Sequence, residues 1–356
     1  MRVCVTLADQ SFAKTKSLGI FNVSRGLVRG LAACPEVEEV VVLVSGAFDD
    51  GEFAGCGEGR VRVEKVCVEP PSGVGRVLWD QWRVVAAVDA VGADWVLFPK
   101  GFPPLWRWPK AKVCCYVHDN IFSYYRRRGW RAFPAFERWY FPASLRRAAV
   151  RSDVVVTNSE FTAEEVRALG GGGRVARVGI GFDDPPAMAG VEKGERGGVL
   201  LLVSGQPHKL TAQAVEWLKR WKEERGSGLT VYGVGTLPED VDWPAGSDWE
   251  LCGRVGDDEY EVLWGSVDVM LYFSTYEGYG MPPVEAAMRG VKALASDLPA
   301  HRENVPVEWL FDNGSWDDFA AKLDGVLVEE AGKRAPLEPE PWRVVAGRVV
   351  EAMGVR

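Results

Sequence analysis

The sequence has few of the features that mark membrane, secreted or metal-binding proteins. Across its 356 residues no apolar run approaches the roughly 20 residues that cross a bilayer. The start, Met1 to Asp9, is too short and too soon acidic for a signal peptide. The seven cysteines are irregularly spaced, and no CxxC or His-x-x-x-His pair occurs. These absences argue against a disulfide framework and a metal site, and they predict a cytoplasmic protein.

The charge is unevenly distributed along the chain. Residues 1–180 contain 25 Lys and Arg against 19 Asp and Glu, a net charge of +6, whereas residues 181–356 contain 17 against 31, a net of −14. A basic first half suits an anionic acceptor or a peripheral contact with an anionic membrane surface. No nucleic-acid-binding motif accompanies the modest excess, so nucleic acid is a weaker interpretation.

Short apolar runs alternate with amphipathic stretches, which predicts βαβ units on parallel sheets. The length suits two α/β domains. A segment rich in Pro, Gly and charge, Asp183 to Gly198, is the candidate linker. We therefore expect a Rossmann-like domain over residues 1–184, a second over 185–340, and a final helix within 341–356.

The most informative segment runs from Ser274 to Glu285, directly after the apolar run Val267–Phe273. It reads as a strand, a glycine-rich loop and a helix that opens near Pro283. The free amides and positive dipole of such a helix start favour phosphate. Glu277 at the rim of the loop and Glu285 in the first helical turn can accept hydrogen bonds from sugar hydroxyls. This combination suits a nucleotide-sugar site.

The segment also resembles the E-x7-E signature of retaining glycosyltransferases of family 4, which have the GT-B fold. Other segments match in chain order: His118-Asp119 after a strand, Ser152 to Thr162, Val203-Ser204-Gly205 with Lys209, and Ala295 to Glu303. The resemblance covers nearly the whole chain. It implies two doubly wound domains that face a central cleft, with the last helix packed on the first domain.

The resemblance also assigns roles to individual residues. It implies that Glu285 binds the ribose, Glu277 the transferred sugar, Lys209 the phosphates, and His118 the donor sugar near the reacting carbon. His301 is expected to buttress the loop. Further donor contacts are expected from Ser274 and from backbone at Gly19, Val255, Gly278, Tyr279, Gly280 and Met281. No metal or cofactor is implied beyond a UDP- or GDP-linked sugar substrate.

Two positions depart from the family pattern. Gln206 stands where the family usually has Arg, and Leu210 follows Lys209 where Asn or Gly is frequent. Losing a guanidinium removes a strong phosphate contact. Either His208 or another Arg compensates, or the donor is held more loosely.

Two further stretches allow functional and structural interpretations. The run Tyr124 to Arg131, with Arg126 and Arg127, mixes aromatic and basic residues, which suits an acceptor-binding or membrane-interface patch or an ordinary solvated face. Asp240-Val241-Asp242 has the spacing of a metal-binding DxD motif, but it lies between prolines without a supporting strand, and chance acidity explains it better.

The resemblance implies a retaining, metal-independent hexosyltransferase, with mannose or glucose the expected sugar and a glycan, lipid or small molecule as acceptor. Two alternatives stay open. A non-catalytic nucleotide-sugar binder would fit Gln206, and a sugar-nucleotide epimerase of the same fold would convert the donor without an acceptor.

Overall fold

A computed structural model describes residues 1–8, 18–69, 73–170, 174–183, 197–328 and 339–354. The chain divides into two compact units, Met1–Asp183 with Glu340–Arg356, and Asp184–Pro339. Each boundary lies one residue from the predicted position. Most of the predicted linker, residues 184–196, lies outside the described residues.

The first unit is built on a seven-stranded parallel sheet in the order β3-β2-β1-β4-β5-β6-β7. Its strands are β1 Arg2–Thr6, β2 Glu39–Ser45, β3 Val61–Cys67, β4 Trp95–Phe98, β5 Lys112–Val117, β6 Val154–Thr157 and β7 Arg174–Arg177. Its helices are α1 Leu18–Ala32, α2 Gly73–Leu78, α3 Val84–Val91, α4 Ile121–Arg128, α5 Ala135–Arg151 and α6 Glu160–Arg167.

The second unit is built on a six-stranded parallel sheet in the order β10-β9-β8-β11-β12-β13. Its strands are β8 Gly198–Val203, β9 Thr230–Gly235, β10 Trp249–Gly253, β11 Val269–Tyr272, β12 Lys292–Ser296 and β13 Leu310–Phe311. Its helices are α7 Thr211–Arg225, α8 Asp257–Ser266, α9 Met281–Met288, α10 Pro299–Arg302 and α11 Trp316–Val328. The last helix, α12 Trp342–Ala352, belongs to the first unit.

Both sheets are doubly wound, and their central strands are buried on both faces. Strands β4, β6 and β11 consist wholly of buried residues, as expected for parallel strands covered by helices on both sides. The strand order reverses at β1/β4 in the first sheet and at β8/β11 in the second. Ligands of doubly wound sheets bind at such switch points, outside the carboxyl ends of the strands.

Local structure differs from the sequence predictions at a few places. Helix α4 was not predicted, and α6 begins at Glu160 with Ser159 as its cap. The Ser159 hydroxyl accepts the N–H of Thr162 at 3.0 Å. Helices α2 and α3 are joined by a π-helical turn, Trp79–Arg83. The short elements α10 and β13 were also missed because each spans four residues or fewer.

Helix α12 packs tightly against α1. A Cβ atom added at Gly26 would lie 2.0 Å from the Trp342 ring, and one at Gly30 would lie 2.5 Å from the Trp342 carbonyl oxygen. The two glycines are four residues apart, so they form one smooth strip of α1 on which Trp342 and Ala346 lie.

Among the described residues, no helix combines the length and the apolar character needed to cross a bilayer.

Candidate active site

The loop between β11 and α9 is shaped by one glycine. Gly280 has φ +86°, a left-handed conformation that disfavours side chains, and it caps the helix that starts at Met281. Helix α9 therefore starts two residues before the predicted Pro283. As a result Glu285 lies in the second turn, which corrects its predicted place in the first.

The first turn of α9 has fewer backbone N–H groups than the first turn of an ordinary helix. Pro282 and Pro283 occupy two of its first four positions, and neither carries an N–H. Met281 and Val284 therefore supply the remaining N–H groups of that first turn. The positive end of the helix still favours an anion, but more of the binding must come from side chains.

The His301 side chain packs against Gly280 in the loop between β11 and α9. A Cβ at Gly280 would lie 2.5 Å from the His301 ring, so only glycine fits at this position. The His301 Nδ1 atom lies 2.7 Å from the Ser296 carbonyl oxygen, which can only accept, so Nδ1 carries the proton. Burial lowers the pKa of His301, and the ring is neutral. The predicted buttress role is confirmed by this contact.

Lys209, Tyr272 and Glu277 form one hydrogen-bonded group at the carboxyl ends of β8 and β11. Lys209 Nζ donates to the Tyr272 hydroxyl and to Glu277 Oε1, each at 2.6 Å. Burial by itself would lower the pKa of Lys209, but the charge of Glu277 outweighs it and raises that pKa. Burial likewise opposes ionisation of Glu277, yet the charge of Lys209 holds its pKa below the ordinary value. The pair is therefore ionic at neutral pH.

Lys209 is presented by a strained turn. Leu210 has φ +49°, the only positive φ of a non-glycine residue in the described part of the chain. This conformation costs roughly 1–2 kcal/mol for a residue with a Cβ, which explains why glycine or asparagine suits the position. Leu210 packs against the core of the second unit, and that contact offsets part of the strain.

His208 and Ser274 connect the two loops of the site. The His208 carbonyl accepts the N–H of Thr275 at 2.8 Å and the Ser274 hydroxyl at 3.2 Å. Ser274 is fully buried, and its own carbonyl accepts from Asn313 at 2.7 Å. We expected the Ser274 hydroxyl to face the donor, and this is corrected: it holds the loop in place.

The cation missing at Gln206 is not replaced by its neighbour. Gln206 is exposed, whereas His208 is buried, and burial lowers the pKa of His208 to about 4. A neutral imidazole cannot stand in for a guanidinium, so of the three alternatives compensation by His208 is disfavoured by its burial. In this turn of the second unit, Lys209 is the remaining cation.

Glu285 differs from Glu277 in its surroundings. Its side chain is half-buried, and within the described residues its carboxylate makes no hydrogen bond or ion pair. Burial raises the pKa of Glu285, Arg289 lowers it, and Glu261 adds to the rise. Arg289 itself is held by Glu261 and by the Glu285 carbonyl at 3.0 Å. Glu285 thus keeps its carboxylate oxygens available for a ligand.

Val255 lies farther along the same sheet edge. It follows β10, and strands β9 and β8 separate β10 from β11, which places it three strand spacings, roughly 14 Å, from the Glu277 loop. A ligand that contacts both loops must extend along the edge of the sheet. The loop amides at Gly278 and Tyr279 lie at its other end, where the Tyr279 carbonyl accepts from Asn304 at 3.2 Å.

In the first unit, His118 follows β5 as predicted. Its Nε2 atom lies 2.7 Å from the Pro99 carbonyl oxygen, so Nε2 carries the ring proton. Burial lowers the pKa of His118 to about 4, which leaves the ring neutral with a lone pair on Nδ1. Its carbonyl accepts from Asn158 at 2.9 Å. A neutral imidazole fits a sugar hydroxyl as partner, and the donor contact stays a prediction.

The predicted acceptor patch is wrong in its aromatic part. Tyr124 and Tyr125 are buried in α4, while Arg126, Arg127 and Arg128 remain exposed. Arg127 pairs with Glu165 at 3.0 Å, and the Arg128 guanidinium lies over the Tyr124 ring at 5.5 Å. Surface rings at the level of lipid headgroups are therefore not provided by α4.

The structure also describes Gly19 and the Asp240-Val241-Asp242 segment. Gly19 is exposed in the first turn of α1, next to residues 9–17, which lie outside the described residues. Asp240 and Asp242 are both exposed. Among the described residues, no group of three or more His, Cys, Asp or Glu side chains has the arrangement of a metal site.

Sequence comparison identifies the family. A model described as Glycosyltransferase Family 4 matches residues 19–184, and one described as Glycosyl transferases group 1 matches residues 192–329. The chain belongs to the family 4 glycosyltransferases. Its two parallel-sheet units are the two Rossmann-like domains of the GT-B fold of this family.

Individual relatives of this family 4 chain are distant. The O-antigen chain mannosyltransferase RfbU of Salmonella typhimurium is 24% identical over 143 residues, and the match covers 38% of this chain and 40% of that relative. Anabaena HepE, solved with UDP and glucose, shares 14% identity with a TM-score of 0.66 over 99% of both chains. WaaG, a glycosyltransferase involved in lipopolysaccharide biosynthesis, shares 13% identity with a TM-score of 0.65 over 99% of this chain and 95% of that one.

Proposed function

We propose that the protein transfers a hexose from a nucleotide-diphosphate sugar to a hydroxyl group, with retention of the anomeric configuration and without a bound metal. The observation that carries the proposal is the group Lys209, Glu277 and Glu285 at the switch point of the second sheet. It combines one cation for a diphosphate with two carboxylates for sugar hydroxyls. Backbone and side chains together would steady the leaving charge, as preorganised donors do in other enzymes.

The donor would extend along the carboxyl edge of the second sheet. Its base would lie near Val255, its ribose hydroxyls would bind the unpaired carboxylate of Glu285, and its diphosphate would lie at Lys209 and Met281. Glu277 would accept hydroxyls of the transferred sugar while it remains close to Lys209. HepE binds UDP and glucose, and RfbU is a mannosyltransferase, so UDP-glucose and GDP-mannose are the first donors to test.

Retention would follow from attack on the same face of the sugar as the leaving group. The acceptor oxygen forms a bond to the anomeric carbon while the bond between the anomeric carbon and the phosphate oxygen breaks. The acceptor proton passes to the departing diphosphate. No described carboxylate has to act as a nucleophile in this scheme. His118 would hold a donor-sugar hydroxyl near the reacting carbon.

The test is donor turnover with purified protein. UDP-glucose and GDP-mannose are incubated with and without EDTA, and nucleotide release and the anomeric configuration of the product are followed. Glu285→Ala and Lys209→Ala should lose donor affinity by about 1–3 kcal/mol, the scale of a charged hydrogen bond. Glu239→Ala and Lys219→Ala, at exposed positions of the same unit, serve as matched controls. Full activity of both site variants would contradict the assigned roles.

Gln206 favours one alternative, a nucleotide-sugar binder without turnover. The turn that carries Lys209 has a neutral His208 and no arginine, so it holds one positive charge where the family usually has two. Calorimetric binding of a donor without hydrolysis or transfer would support this alternative. Gln206→Arg would then be expected to increase donor affinity, and transfer by that variant alone would show which contact was missing.

A further inference from the structure

The outer side of α5 carries a groove that the glycosyl-transfer scheme does not use. Its volume is about 430 Å³. The lining includes Leu105, Trp106, Trp139, Arg146, Arg147 and Val150. We call this surface the α5 face. It belongs entirely to the first unit.

Helix α5 is apolar on both sides. Its inner side buries Tyr140, Ser144, Leu145, Ala148 and Ala149. Its outer side exposes Phe136, Trp139 and Val150, whose exposed fractions are 50%, 57% and 54%. Positions 136, 139, 143 and 150 follow the spacing of one helical stripe, so the apolar side chains form a continuous surface. Exposed apolar stripes of this kind mark binding surfaces.

The loop beside α5 is fixed so that it presents Trp106 to solvent. Gln81 is fully buried, and its Oε1 atom accepts the backbone N–H groups of Leu105 at 2.7 Å and Trp106 at 3.0 Å. Its amide nitrogen donates to the Tyr140 hydroxyl at 2.9 Å, which ties the loop to α5. Trp106 is 55% exposed. The exposed ring is therefore held by a buried network.

Positive charge surrounds these rings. Helix α5 itself contains four Arg, at positions 138, 146, 147 and 151, against one acidic residue, Glu137, a net charge of +3. Arg138 and Arg146 are exposed on α5, and the Arg147 and Arg151 guanidinium groups lie over the Trp108 ring at 5.5 and 5.0 Å. Residues 1–180 as a whole have a net charge of +6, so α5 carries half of that excess.

We propose that the α5 face docks the first unit on an anionic lipid bilayer. Tryptophan rings lie at the interface between headgroups and acyl chains, and a basic helix with an aromatic face binds in the plane of such a surface. Arginine adds attraction to anionic headgroups. A second copy of the chain is a poorer occupant, because a symmetric contact would bring the two sets of arginines together.

Vesicle co-sedimentation tests the proposal without any donor or acceptor. The full chain should bind phosphatidylcholine–phosphatidylglycerol vesicles and bind pure phosphatidylcholine vesicles much less. Binding should weaken as salt is raised, since the Debye length falls from about 10 Å at 0.1 M to about 3 Å at 1 M. Because turnover is not measured, failure here leaves the proposed transfer reaction untouched, and the reverse also holds.

Two variant sets separate the apolar and the basic contributions. Trp106→Ser with Trp139→Ser should abolish sedimentation, whereas Trp139→Phe should retain it. Arg146→Gln with Arg147→Gln should weaken binding roughly 30-fold, from two charges removed near the surface. Arg126→Gln with Arg128→Gln removes two exposed charges from α4 and should change binding less than about threefold. Circular dichroism and thermal unfolding check that each variant is folded.

Several results would overturn the proposal. The first is a wild-type protein that fails to bind anionic vesicles, or that binds neutral and anionic vesicles equally. The second is an α4 variant that loses as much binding as the α5 arginine variant. The third is a dimer in sedimentation equilibrium that Trp139→Ser dissociates, which would assign the face to a second copy of the chain.

Discussion

Lys209 Nζ donates to Glu277 Oε1 over 2.6 Å, and the two side chains are only 20% and 13% exposed. The two residues lie 68 positions apart and meet because β8 and β11 are neighbours in the sheet. The site thus carries its own counter-charge. A diphosphate that binds here competes with Glu277 for the same ammonium group, and the Tyr272 hydroxyl fixes the direction from which Lys209 approaches.

We expect Lys209→Met to destabilise the second unit as well as to weaken donor binding. The variant leaves Glu277 largely buried without its partner, which costs about 3 kcal/mol in comparable pairs. Adding Glu277→Gln should restore most of the unfolding free energy but not the donor affinity. Urea denaturation and calorimetry of the two single variants and the double variant measure both quantities. A double variant as unstable as Lys209→Met would contradict the pairing.

Glu285 should lower stability at neutral pH. Because its pKa is raised in the folded protein, the folded state holds the proton more tightly than the unfolded state, and stability falls as pH rises through the raised pKa. Glu285→Gln should therefore be more stable than wild type at pH 7 and equally stable near pH 4, while it binds donor less well. Unfolding free energies across this range, with Glu239→Gln as control, provide the measurement. An unchanged pH profile would exclude an ionisable Glu285 in a buried setting.

The three histidines should make the protein sensitive to acid. The chain has His118, His208 and His301, and burial lowers the pKa of each, to about 4 for the first two. Below the ordinary pKa of about 6.5 the unfolded state binds protons that the folded state does not. Stability conferred by the neutral rings is therefore present above pH 6.5 and is lost as pH falls towards 4.

Proton uptake on unfolding at pH 5 measures this effect. Calorimetry in buffers of different ionisation enthalpy should show uptake by the histidines, reduced by about one proton in His208→Gln. The site variant Glu285→Gln changes uptake in the opposite sense and distinguishes the carboxyl contribution. Uptake unchanged by His208→Gln would contradict a buried neutral ring at that position.

Gly26→Ala and Gly30→Ala should destabilise the first unit by about 1–3 kcal/mol each, because the added methyl group overlaps Trp342 or its backbone. Gly347→Ala is the matched control. It lies in α12, and a Cβ there would have no atom within 4 Å. That change should stabilise the helix by about 0.5–1 kcal/mol. Thermal unfolding ranks the stabilities of the three variants. An equal change in stability at all three positions would refute the packing argument.

Much of the fold could be predicted because buried parallel strands are continuous apolar runs. Val154–Thr157 and Val269–Tyr272 are recognisable for this reason, and the loops after them contain the candidate site residues. The pairing of Lys209 with Glu277 could not be predicted, since it depends on which strands are neighbours. The burial of Ser274 was missed for a related reason: its partners, His208 and Asn313, are remote in sequence.

The α5 face escaped sequence reasoning for the opposite reason. Phe136 and Trp139 have helical spacing, and apolar residues with that spacing usually face a core. The inner side of α5 is occupied by another set of apolar residues, which only the packing against the first sheet reveals. The sequence instead indicated an exposed patch at the basic aromatic run that begins at Tyr124, because aromatic rings next to arginines in sequence are often at the surface. In the fold, Tyr124 and Tyr125 are buried.

The contact of Gly280 with the imidazole of His301 has an evolutionary consequence. The two positions share one small volume, so a homologue with a side chain at the first should carry a smaller residue at the second. In a family alignment, the residue types at positions 280 and 301 should therefore covary because the two side chains share that space. Position 347 should show no such covariation with position 301.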